Sequence, residues 1–112
     1  MSESASQTIT AEVTAWPGVE AGTGRRGEYG FRVGRREIGH LHGDRVAHFG
    51  FPREVGERLR AEGRIEPHPV FPEKAGWGAH GLATRADVDA VIGLLRLNYD
   101  RVVDRHGVPD QE

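Results

Sequence analysis

Between Glu28 and Phe51 the chain offers three short β-type runs separated by turns of only a few residues. Glu28 to Val33 alternates, with Tyr29, Phe31 and Val33 on one face. Arg36 to His42 follows the Gly34-Arg35 turn, and Val46 to Phe51 follows His42-Gly43-Asp44-Arg45. Parallel neighbours need a crossover of a dozen residues or more, so connections this tight permit only antiparallel pairing. An antiparallel meander is therefore the centre of the fold, and the other elements must arrange themselves around it.

Upstream, Ile9, Val13 and Trp16 recur at i, i+4 and i+7, which predicts a short helix from Thr8 to Trp16, ended by Pro17-Gly18. Val19 to Gly27 holds three glycines and two arginines and reads as a loop. Downstream, Pro52 suits the first position of a helix, Val55 and Leu59 give its buried stripe, and Gly63 ends it. Ile65 to Phe71 is extended, and Pro67, Pro69 and Pro72 place it at an edge or a bulge. Trp77 to Leu82 is a last strand. Thr84 caps a long helix whose stripe is Val88, Val91, Ile92, Leu95, Tyr99 and Val102, with Gly107 and Pro109 stopping it.

The pattern is α-β-β-β-α-β-β-α: an α+β single domain with a mainly antiparallel five-stranded sheet and helices covering one face. The domain is expected over 8–106, between flexible tails at 1–7 and 107–112. Its predicted core is Val13, Trp16, Phe31, Val33, Ile38, Val55, Leu59, Val88, Val91, Ile92, Leu95 and Tyr99.

At 112 residues the core is thin. Leu94 and Leu97 lie beside the main stripe of the last helix, which suggests a weak homodimer through that patch. Seventeen acids against fifteen bases give a formal charge of −2, which argues against a nucleic-acid partner. Arg25, Arg26, Arg32, Arg35, Arg36 and Arg45 still crowd the first half of the meander, as a solvated face or an anion patch. With no cysteine, disulfides and thiolate chemistry are excluded. The only serines are Ser2, Ser4 and Ser6, which speaks against a serine nucleophile. No apolar run approaches the ~20 residues of a membrane span, and the polar start does not resemble a signal peptide. A cytoplasmic protein is the expectation.

Five of the six histidines fall between positions 40 and 80. His40 and His42 are i and i+2 on a strand, so they share a face at roughly 6–7 Å, with Asp44 in the turn beyond. Such a group binds an anion, moves a proton or holds a divalent metal such as zinc; equally, one ring packs while the other is solvated and Asp44 closes its turn. A metal needs a third ligand. His68, held between Pro67 and Pro69, is the first candidate, ahead of His48 and His80. The leading expectation is a small binding module for an anionic small molecule or a partner segment. Its ligand would meet His40, His42, Asp44 and His68, with Arg36 or Arg53 as charged donors and Trp77 as core, interface or stacking surface. A histidine- or metal-dependent enzyme using His40, His42 and His68 is the alternative.

The phrases Arg36-Glu37-Ile38-Gly39-His40-Leu41-His42-Gly43-Asp44, Phe51-Pro52-Arg53, Ala61-Glu62-Gly63-Arg64-Ile65-Glu66-Pro67-His68 and Gly76-Trp77, with Leu94 to Tyr99, resemble the bacterial and fungal luciferase-domain family. The likeness spans about Pro17 to Arg101. The family label implies light emission, whereas no motif in these residues supplies it. The order of elements is also similar to MmcQ/YjbR-like domains, which implies a double-wing α+β fold and keeps a nucleic-acid-binding alternative open.

Overall fold

A computed structural model of the chain describes residues 3–109. Three helices, α1 (Ala5–Val13), α2 (Arg53–Ala61) and α3 (Arg85–His106), accompany six strands. The strands are β1 (Val19–Thr23), β2 (Tyr29–Val33), β3 (Arg36–His42), β4 (Val46–Gly50), β5 (Glu66–Pro67) and β6 (Trp77–Gly81). They form one antiparallel sheet in the order β1-β2-β3-β4-β6-β5. The α+β class and the central meander are as the sequence predicts.

The strand count is six where five were expected, because Val19 to Thr23 is a strand and not a loop. Its glycines weaken the local β signal, but Val19 and Ala21 pair opposite Val33 and Phe31 on β2, and that pairing overrides propensity. The prolines limit β5 to two residues at the sheet edge.

Helix α1 begins at Ala5, inside the expected tail, because Ser4 and Gln7 form a capping box. Residues 1–2 and 110–112 of the expected tails lie outside the described residues. Thr84 and Asp87 cap α3 in the same way. Pro52 is the N-cap of α2, one position before the place its ring was expected to take.

One apolar core joins Ile9, Val13 and Trp16 to Phe31, Val33, Ile38, Leu41, Ala47 and Phe49 of the sheet, Leu59 of α2 and the stripe of α3. Val55 and Ile92 are only partly buried against it. Leu94 is fully buried within this core, and Leu97 is partly buried against it. Helix α3 lies so close to β3 that a Cβ on Gly39 would stand 2.6 Å from Leu95 Cδ2. The opposite face of the sheet carries no helix among the described residues.

A bulge in β3 sets up that open face. Phe31 pairs with Gly39 while the next residue, Arg32, pairs with Glu37, so Ile38 is the extra residue. Asn98, fully buried on α3, donates from Nδ2 to the Ile38 carbonyl and to the Gly50 carbonyl, each at 3.1 Å. Its Oδ1 in turn accepts two hydrogen bonds from Arg101, at 2.8 and 3.1 Å. The helix thus holds the bulge in place through one amide.

Candidate metal centre

The bulge changes which side chains meet. In a regular strand residues i and i+3 point to opposite faces. With Ile38 inserted, Glu37 and His40 share the open face, and the Glu37 carboxylate accepts from His40 Nδ1 at 2.8 Å. Gly30, opposite His40 on β2, leaves the room: a Cβ there would lie 3.2 Å from Glu37 Oε1. An ionised carboxylate only accepts, so it keeps the proton on Nδ1 and leaves the Nε2 lone pair of His40 free.

The β3–β4 hairpin supplies the next ligand. His42 pairs with Val46 and His40 with His48, so His48 joins His40 and His42 on the same face. Ring centroids lie 5.0 Å apart for His40–His42, 5.3 Å for His40–His48 and 4.5 Å for His42–His48. One nitrogen from each of the three rings falls within 4.8 Å of the others, so the group can hold a metal ion. His48 is 9% exposed, and its Nε2 is buried without a hydrogen-bond partner.

Burial, then the neighbouring His68, His42 and His40, lowers the pKa of His48 from 6.5 to about 4. Burial and His40 also lower His42, and burial with His40 and His42 lowers His68. The lowered pKa values keep His42 and His48 neutral near pH 7, the state in which imidazole lone pairs serve as ligands.

His68, the expected third ligand, takes another part. Its ring touches His48 at 4.5 Å between centroids, but its Nδ1 accepts from the backbone N–H groups of Val70 and Phe71 at 3.1 and 3.3 Å. With Nδ1 accepting, the neutral ring carries its proton on Nε2, and neither nitrogen offers a lone pair to an ion. His48 replaces it in the triad. The signal for this was in the hairpin: once His42 pairs with Val46, His48 must stand opposite His40.

Other expected site residues are scattered. Asp44 turns to the start of α1, where its carboxylate accepts from the Ser6 backbone N–H at 2.8 Å, and this bond holds its pKa below the ordinary value. Arg36 lies at the far end of β3, in a cleft with Arg35 and His106. Arg53 is exposed, pairs with Glu57 at 3.3 Å and lines a cleft of about 410 Å³ with Lys74 and Trp77. His80 bonds through Nδ1 to the Gly81 carbonyl and lies 3.9 Å from Asp87, outside the triad. Trp77 does belong to the neighbourhood: its ring is 5.6 Å from His68 and 5.2 Å from Phe71.

No helix among the described residues is long and apolar enough to cross a membrane. No curated protein and no solved structure matches the chain. The family model described as the luciferase domain matches residues 35–98, a stretch that begins just before β3, runs into α3 and includes Glu37, all three triad histidines, His68 and Asn98. That match covers more than half of the chain, which therefore belongs to the luciferase-domain family.

Proposed function

We propose that this protein binds a divalent transition metal, zinc in the first place, through His40, His42 and His48, with Glu37 orienting His40. The observation that carries the reading is the His48 Nε2: a buried, unpartnered nitrogen is costly, and here it sits beside two further imidazole nitrogens. The all-imidazole donor set suits zinc, copper or nickel and is poor for magnesium or calcium, which prefer oxygen. Zinc–nitrogen bonds run about 2.0–2.1 Å, so shifts on the order of 1 Å bring the three nitrogens onto one ion. Three protein ligands leave a fourth position for solvent or a small ligand, the donor count of catalytic rather than structural zinc sites. The ion would supply Lewis acidity there, while the chain orients and shields it.

Equilibrium dialysis of zinc against untagged protein tests the reading. One equivalent should bind to the wild type and to His68→Ala, and His48→Ala should bind at least tenfold more weakly. Absence of stoichiometric binding to the wild type, or equal binding by His48→Ala, refutes it.

A further inference from the structure

The rim next to the triad is built from one loop, residues 68–77, and it is held rigidly. Arg60 donates to the carbonyls of Pro72, Lys74 and Trp77 at 3.2, 2.8 and 2.8 Å. Pro67 and Pro69 fix the backbone on either side of His68. The loop carries an apolar shelf in Phe71 and Trp77, which are 37% and 38% exposed although both rings pack against His68. The Lys74 ammonium stands 4.7 Å from the Trp77 ring centroid.

His68 joins the shelf to the triad. The two backbone N–H groups that bind Nδ1 leave its N–H on Nε2, on the ring edge turned away from the Val70–Phe71 backbone. That N–H has no acceptor among the hydrogen bonds of the described residues. The His68 ring touches His48 of the triad and shares its rim with the Lys74 ammonium, so this free N–H donor suits an anionic oxygen. The Glu37 carboxylate is engaged by His40. The adjoining shelf asks for a flat apolar body, because exposed aromatic rings recover contact area when another ring is laid on them.

We infer that the open side of the triad takes a carboxylate with a flat apolar body: one carboxylate oxygen on the metal's fourth position, the other accepting from His68 Nε2–H, and the apolar part against Phe71 and Trp77. This inference rests on the metal reading. It makes His68 a binding residue for the ligand and not a fourth metal ligand, and it makes Trp77 the residue that selects for the apolar body. The loop is already ordered by Arg60 and the prolines, so little ordering cost opposes binding.

The test uses the full chain loaded with cobalt(II), whose visible absorption reports on its coordination. Benzoate, acetate and uncharged benzyl alcohol are titrated separately. Benzoate should change the spectrum at concentrations at least tenfold below those needed for acetate, and benzyl alcohol should leave it unchanged. Trp77→Ala should bring benzoate down to the level of acetate. His68→Ala should weaken both carboxylates by about tenfold without altering cobalt uptake. His68→Gln, which restores an N–H near the Nε2 position, should recover most of the loss. Failure of cobalt to bind the wild type overturns the metal reading and this inference with it. Cobalt bound but indifferent to benzoate, or benzoate affinity unchanged in both His68→Ala and Trp77→Ala, overturns this inference alone.

Discussion

Acid should destabilise this fold in a window that His48 sets. In the unfolded chain its imidazole takes a proton near 6.5; in the fold, burial and three neighbouring histidines hold the proton off until about 4. Above pH 6.5 the ring is neutral in both states and adds no pH dependence. Between 6.5 and about 4 only the unfolded chain binds the proton, so stability falls by about 1.4 kcal/mol per pH unit. The drop attributable to His48 is thus roughly 3 kcal/mol, complete near pH 4. His42 and His68 have lowered pKa values too and add to the loss in the same direction. Asp44 and Asp87 are separable, because their pKa values lie below 3.8 and their contribution is lost only under more acid conditions. Urea melts of metal-free protein at pH 7.5, 6.5, 5.5 and 4.5 measure the slope in the wild type and in His48→Leu. The wild type should lose at least about 2.5 kcal/mol across the series, and the variant about 2–3 kcal/mol less. Parallel slopes for the two proteins would refute the assignment of this acid sensitivity to the buried imidazole.

Asn98→Leu removes the donor from two carbonyls and strands the Arg101 guanidinium; it should cost about 2–4 kcal/mol in a denaturant melt. Because the same amide holds the Ile38 bulge, zinc affinity should fall with it, and a stable variant with unaltered zinc binding would break that link. Glu37→Gln replaces the carboxylate that fixes the His40 tautomer; zinc affinity should fall about 10–100-fold in competition with a chromophoric chelator, while the urea midpoint stays nearly unchanged.

The meander and the long helix could be read from the sequence because tight turns and a helical stripe are local signals. Strand periodicity puts His40 and His42 on one face, where their rings lie 5.0 Å apart. Strand β1 was hidden because its glycines lower local propensity, and only pairing with Phe31 and Val33 makes it a strand. Glu37 went unrecognised because regular alternation puts it on the face away from His40. The bulge that reverses this depends on Gly39 lying beneath Leu95 and on Asn98, 60 positions along the chain from Ile38. The prolines that flank His68 make it look the more rigid third ligand, ahead of His48. What decides between them is where each nitrogen's hydrogen bonds go, and that is fixed by the turn at Val70 and Phe71. Asp44 looked like a partner for the histidines because it follows them directly, yet the turn carries it to α1.

The most direct measurement is the X-ray absorption fine structure of zinc in the loaded, untagged protein. The account predicts three imidazole nitrogens at about 2.0–2.1 Å with their characteristic outer-ring scattering, completed by oxygen. His48→Ala should remove one imidazole from that shell, and His68→Ala should remove none. A shell dominated by oxygen, or one that loses an imidazole with His68 instead of His48, would contradict it.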